Sequence, residues 1–328
     1  MPELTANEKL LDLAFEESFR RDRLTATQAR KVDKLLRNLK LDLQRQLSAF
    51  PEGTRDTHST ARAREQLAAI NRLIDKGIDK LDLEKDLIAL GNDQAKQAAS
   101  ALKSATPFSY DFVTPAKATV RTLVTRRMFR GRLLNDWVTS LKRGTKTRVY
   151  EQMNIGLALG EDIPKLAKRI SFAVDTTRHH AKTIVRTAAT QVAADSTEET
   201  LKENSDIIKG YMYVATLDDR VTERCLSLDG NVYELGKGPR PPQHHNCRSV
   251  IVPVLKSWEE LGFNLKKNVA EMASTRASLD GAIPEKTNGW DWLKKQPANR
   301  QDKILGATKG LQLRKGLLKK PSDAVIPL

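Results

Sequence analysis

Residues 216–253, TLDDRVTERCLSLDGNVYELGKGPRPPQHHNCRSVIVP, hold both cysteines of the chain and two of its five histidines. Cys225 stands just ahead of Leu228-Asp229-Gly230, and Asp-Gly is a strong hairpin signal because both central residues of that turn take positive φ. Cys247 closes a Pro-rich loop, Pro239 to His245, that runs into the β-branched Val250-Ile251-Val252. A hairpin or small sheet here brings the two thiols together with His244 or His245 beside them. Soft ligands of this kind suit zinc.

Three readings of the cluster stand side by side. The first is a structural staple, either zinc or a cystine, because short extended segments around a turn-rich loop need a cross-link to hold shape. The second is a pair of reduced cysteines packed as small apolar residues. The third is a Cys/His nucleophile pair. A His-Asn-His-type nuclease needs a further metal-binding histidine downstream, and none follows His245.

The rest of the chain reads as helix. Val32, Leu35, Leu36, Leu39 and Leu43 recur at helical spacing between Thr25 and Ala49, with Pro51-Glu52-Gly53 as the stop, and Thr5-Ala6-Asn7-Glu8 is a capping-box pattern that starts an earlier helix. Leu67, Ile70, Ile74, Ile78, Leu81 and Leu87 mark a second long helix from about Ser59 to Leu90, stopped by Gly91-Asn92 and open to a bend at Gly77. Two such helices joined by a short turn make an antiparallel hairpin. Its remaining apolar edges need cover from the downstream region, another copy or a partner.

Two prolines and three aromatics in TPFSYDFVTP, between Ala105 and Pro115, mark a boundary. From Pro115 to Tyr150 the chain is strongly basic, with only Asp136 opposing, and apolar residues interleave at helical spacing. That pattern predicts one packed and one cationic face. Arg121, Arg126, Arg127, Arg130, Arg132, Lys142 and Arg143 are the candidate phosphate contacts, since clustered Lys and Arg bind nucleic-acid backbones by counterion release; a merely solvated basic face is the other reading. Pro164 opens a short helix, and a longer one is expected from Thr176 to about Glu203. His179 and His180, on adjacent positions, point to different faces and read as surface residues.

A net charge of +15 favours a polyanion or an acidic protein surface as partner. With 39% hydrophobic but only 5% aromatic residues, 328 positions suggest about two helix-rich domains with modest cores. No run reaches the roughly eighteen apolar residues of a membrane span, and the first residues lack the layout of a signal peptide. The chain is expected in a reducing cytoplasm, where the cystine is the lesser staple. Gly306-Ala307-Thr308-Lys309-Gly310 lacks the Gly-Lys-Ser/Thr of a phosphate loop. Paired carboxylates, Ser-centred elbows, dinucleotide glycine motifs and His-Glu-x-x-His are absent too, so no enzyme is expected.

Tyr213 to Arg220, Cys225 to Gly230 and Pro241 to Arg248, in that order, resemble the phage Mu F-like minor head, or head morphogenesis, family. Trp292-Leu293 with Gln296, then Ile304-Leu305-Gly306, resemble that family's tail, so the likeness covers roughly residues 150 to 318. It departs at His245, where the family often has Pro, and at Ser249, where it often has a second Cys; Ala188 replaces the Glu of the family's Arg-Thr-Glu helix. A closed metal site on Cys225, His244 and Cys247 then needs His245, Asp229 or an outside group as its fourth ligand.

The resemblance implies a virion protein of the capsid interior, present in the host cytoplasm during assembly. Its implied partners are the portal protein, capsid or scaffolding proteins and packaged DNA, with no membrane. The alternatives are a DNA-processing or ADP-ribosyltransferase-like phage enzyme, or a free DNA-binding protein. The expected architecture is mainly α with a small β unit: an N-terminal helical hairpin (1–104), a basic helical region (115–205), a β module with the Cys/His cluster (206–257) and an extended helical tail (258–328).

Overall fold

The computed structural model describes residues 6–48, 59–106, 109–159, 161–257, 260–261, 275–278, 281–284 and 288–324. Six helices come first: α1 (Ala6–Ser48), α2 (Ser59–Asp79), α3 (Leu83–Ala105), α4 (Lys117–Arg126), α5 (Leu134–Ala158) and α6 (Ile163–Glu203). A small antiparallel sheet follows, built from β1 (Ile208–Val214), β2 (Val232–Tyr233) and β3 (Val250–Leu255) in the order β2-β1-β3, with the short helix α7 (Glu223–Leu228) between β1 and β2. Then come a two-stranded ribbon, β4 (Thr275–Ser278) with β5 (Gly281–Pro284), and three short helices, α8 (Gly289–Lys294), α9 (Ala298–Leu305) and α10 (Ala307–Arg314). The mainly α fold with a small β unit is therefore what forms.

The chain divides into two compact units, neither of them a single continuous stretch. The first comprises Met1–Arg23, Ile88–Leu123 and Ala189–Leu328; the second comprises Leu24–Leu87 and Val124–Ala188. All the divisions fall inside helices, at points where the sequence carries no loop signal. The four consecutive regions read from composition are thus interleaved, and the Ala105–Pro115 break connects two helices of the first unit.

In the second unit the Leu and Ile stripes close a helical core, with Leu36, Leu43, Ile74 and Ile78 at most 1% exposed. The expected hairpin of α1 and α2 is part of a larger bundle. Gly77 sits against Leu39, and α2 is tied to α5 by Lys142–Asp79 at 2.5 Å and Lys146–Asp75 at 2.7 Å. The edges left by α1 and α2 are therefore partly covered by the downstream chain.

Four expected helix boundaries are corrected. The helices read separately before and after Thr25 are one, α1, and the short helix at Pro164 runs on as α6 through Glu203. The Thr5 end of the capping box, the Pro51-Glu52-Gly53 stop and the turn at Trp258 to Gly262 lie wholly or partly outside the described residues. The helix read through Leu90 breaks instead at Lys80–Asp82, where Asp82 takes φ +37° and its carbonyl accepts from the Asp86 amide. Leu81 and Leu83 are two apart, so one straight helix cannot face both inward; the break buries both, at 2% and 7% exposed. Gly91, read as a stop, lies inside α3, where a Cβ would come within 2.7–2.9 Å of Val120, Val192 and Ser196. It permits close helix packing in the first unit.

The core of the first unit is built differently. The second half of α6 is buried nearly all round and carries polar residues inward: Asp195, Ser196, Thr197, Glu198, Thr200 and Asn204 are at most 6% exposed. Each of several has a partner from elsewhere in the unit. Gln94 reaches Thr197 at 3.3 Å, Asn204 brackets both backbone groups of Val113 at 2.9 Å, and Glu198 holds the amide of Gly236 and the guanidinium of Arg240. Buried polar groups need such partners, which is why this helix organises the loops around it.

The expectation of an extended tail is also corrected. Trp290, Trp292, Leu293, Leu305, Leu313 and Leu318 share one core with Tyr213, Leu217, Cys225, Leu226 and Cys247. The two tryptophans carry large apolar surfaces, 3% exposed each, whose burial outweighs the entropy of an extended segment. Trp290 also donates its indole N–H to the Lys319 carbonyl at 3.2 Å.

Candidate metal centre

Cys225 lies on α7, a helix started by Thr222, whose hydroxyl accepts from the Cys225 amide. The helix ends in a tight turn in which Asp229 keeps φ −61° and ψ 128°, Gly230 takes φ +78°, and the Leu228 carbonyl accepts from Asn231. These are the marks of a type II turn, needing positive φ only at glycine, so the two-residue hairpin expected at Asp229-Gly230 is not formed. The turn nevertheless closes on β1, because Gly230 donates to the Tyr213 carbonyl at 2.8 Å and Tyr213 donates to Asn231 at 2.9 Å.

Cys247 arrives from the other side, at the end of the Pro-rich loop and just before β3. Its carbonyl accepts from Thr190 on α6 at 2.8 Å. The next carbonyl, of Arg248, accepts from Thr216 at 3.1 Å and from Arg21 on α1 at 2.5 Å. The Arg248 side chain pairs with Asp218. Burial pushes the Asp218 carboxyl up, yet the hydrogen bonds from Arg248 and the Arg220 amide outweigh it and hold it below its ordinary value. The stretch Cys247–Ser249 is thereby fixed from four directions.

The two sulfurs lie 3.8 Å apart as free thiols, both 1% exposed. Ligand atoms of Cys225, His244 and Cys247 all lie within 4.8 Å of one another. Tetrahedral zinc with Zn–S bonds of about 2.3 Å places two thiolates about 3.8 Å apart, so the observed separation fits. The hydrogen bond from Cys225 holds the Cys247 thiol far below its ordinary value against the effect of burial, with His244 assisting. Cys225 moves upward, first because its proton is held toward Cys247 and then because it is buried. His244 Nδ1 lies 2.9 Å from the His245 carbonyl, an acceptor only, so Nδ1 donates there and Nε2, once deprotonated, is the ring nitrogen that would hold a metal.

Two of the candidate fourth ligands are placed elsewhere. His245 is exposed and its ring is not part of the cluster. The Asp229 carboxylate is taken up by the Ala215 amide at 2.9 Å and the Gly289 amide at 2.6 Å, joining β1 to the tail. The neighbours that sequence reasoning missed are hydroxyls. Tyr213 Oη lies 3.3 Å from Cys225 Sγ and 4.0 Å from Cys247 Sγ, and Ser249 is 3% exposed beside them.

The basic candidates are spread more widely. Arg121 belongs to the first unit and the other six to the second. Arg121, Arg126, Arg130 and Arg143 are exposed, and Arg127 is half-buried. Arg132 is turned inward, 4.9 Å over the Trp137 ring with a hydrogen bond to Ser140, and Lys142 pairs with Asp79. His179 and His180 are exposed in mid-helix, as surface residues.

Among proteins of known sequence, one from Haemophilus influenzae, itself uncharacterized, is 34% identical over 100 residues, 29% of this chain. The match spans only 22% of that relative's length. No solved structure matches. Residues 147–252 match the family model described as Phage Mu protein F like protein. That segment runs from α5 into β3 and contains Cys225, His244 and Cys247, so this part of the chain is similar to the Phage Mu protein F like family.

Proposed function

We propose that this chain is a minor head protein that acts by binding during phage head assembly, with Cys225, His244 and Cys247 as ligands of a structural zinc. The observation that carries the reading is the coincidence of the family segment with the Cys-His-Cys group. Bound zinc would supply a cross-link and no chemistry beyond it. The ligands come from α7, the Pro-rich loop and the entry to β3, three short pieces that a shared metal would cross-link. Burial of both sulfurs favours a closed structural site over one open to substrate.

The partners proposed are the portal protein, capsid or scaffolding proteins and, through the exposed arginines of α4 and the turn after it, packaged DNA. The net charge of +15 supports a polyanionic partner. Arg126, Arg130 and Arg143 are the leading phosphate contacts of the second unit, since all three side chains are exposed. The site of action is the capsid interior, after assembly in the host cytoplasm. The test is co-purification with portal or proheads at moderate salt, together with metal analysis of the chain. Stable association with near-stoichiometric zinc supports the reading; a chain that binds neither portal nor proheads overturns the head assignment, and a metal-free, folded chain overturns the zinc.

A further inference from the structure

Three protein ligands leave one corner of a tetrahedral site open, and we propose that the phenolic oxygen of Tyr213 fills it. The inference rests on the zinc reading above. With Zn–S near 2.3 Å and Zn–O near 2.0–2.2 Å, a sulfur and an oxygen on two corners of a tetrahedron lie about 3.5 Å apart. Tyr213 Oη lies 3.3 Å from one sulfur and 4.0 Å from the other, on either side of that value. One small shift of the ring equalises the two distances.

Tyr213 is 0% exposed, and its hydroxyl lies against both sulfurs and the Ser249 hydroxyl. It is held in place before any metal arrives. Its amide and carbonyl bond Asn231 and Gly230 on one side, and it stands opposite Ile251 in the β1–β3 register on the other. The two side chains that the sequence offered for this corner are engaged elsewhere: Asp229 holds two amides, and the His245 ring is exposed outside the cluster. Ser249, buried beside Tyr213 and Cys225, is placed to donate its hydroxyl to the phenolic oxygen. Outer hydrogen bonds of this kind steady a ligand and tune its metal. Zinc binding would release the phenolic proton and the protons of the thiols to buffer, leaving the phenolate and thiolate lone pairs to hold the metal.

The experiment is a zinc titration of the full-length chain after its metal has been removed with a chelator, followed by near-ultraviolet difference absorption. The expected result is one bound zinc accompanied by the phenolate band of a single tyrosine. Tyr213→Phe should still bind one zinc, about tenfold to a hundredfold more weakly, and should lose the band. Cobalt(II) in place of zinc should give a different visible spectrum in the variant and the native chain. Zinc binding without a phenolate band overturns the proposal, and this measurement needs no variant to fold. A band that persists in Tyr213→Phe overturns it as well. Loss of affinity in Ser249→Ala but not in Tyr213→Phe assigns the corner to the serine and does the same. If no zinc binds at all, the zinc reading itself fails, a result distinct from each of these.

Discussion

The two compact units reach stability by opposite means. The second is a bundle of long helices whose core is aliphatic, with Leu36, Leu43, Ile74 and Ile78 sealed inside and ion pairs arranged between helices. The first has a continuous buried helix lined with polar side chains, a three-stranded sheet and a core of short pieces around Tyr213, Trp290, Trp292 and two thiols. A long helix satisfies its own backbone and needs only one apolar stripe. Short elements leave ends and loops unsatisfied, so they depend on specific partners: carboxylates on amides, an arginine on carbonyls and, as proposed here, a metal. The first unit should therefore fail at single points, whereas the second should fail gradually.

Several measurements break or sharpen that contrast. The largest effect is expected from the thiols. Cys225→Ser or Cys247→Ser should abolish tight zinc binding, which contributes about 10–16 kcal/mol to small structural zinc modules. Amide exchange should then accelerate through residues 208–255 while the protection of α2 and α5 stays unchanged. Equal loosening of both units would erase the distinction.

Next come the two cores. Trp292→Ala should cost about 3–5 kcal/mol and Ile74→Ala about 2–5 kcal/mol, each read as loss of exchange protection confined to its own unit. Only the tryptophan change should also weaken zinc binding, because Trp292 shares a core with Cys225 and Cys247 whereas Ile74 belongs to the second unit.

A smaller effect is expected at Asp33. It pairs with Lys182 at 2.5 Å and Arg178 at 3.0 Å, and the hydrogen bond from Lys182 holds its carboxyl below the ordinary value, more than offsetting burial. A lowered folded pKa means the unfolded chain takes up the proton first. The contribution is then complete above the ordinary carboxylate pKa of about 4 and is lost as pH falls through the lower folded value. Asp33→Asn should cost about 1 kcal/mol at neutral pH, since its cationic partners are partly exposed and screened, and flatten the acid limb of the second unit's unfolding. An unchanged acid limb would show that the pair is without effect.

The smallest effect concerns the exposed arginines. Removing charge at Arg126 and Arg130 should lower the salt dependence of duplex DNA binding by about 0.9 per lost contact, without altering either unit's stability. An unchanged slope would send the basic surface to an acidic protein partner instead.

The helical class, the stripes at Leu36, Leu39, Ile74 and Ile78, and the meeting of Cys225, His244 and Cys247 were legible in the amino-acid order. Periodicity and turn chemistry are local, and a thiol pair separated by a turn-rich loop has few other places to go. The division into units was not legible, because the chain crosses between them inside helices where no glycine or proline interrupts the helical pattern at the passage. The inward-facing Asp195, Glu198 and Asn204 were hidden for a related reason: polar residues read as surface until partners from distant loops account for their burial. Gly91 looked like a helix stop because its use, close approach of Val120 and Val192, exists only after packing. The order of residues likewise marks Asp229 and His245 as possible ligands, yet one is claimed by two amides and the other faces solvent. Tyr213, 12 positions from one cysteine and 34 from the other, reaches the sulfurs only because β1 pairs with β3 and the Asp-Gly turn folds onto it. Ligand type is written in the sequence, but which side chains share a corner is set by strand register and by what else competes for each polar atom.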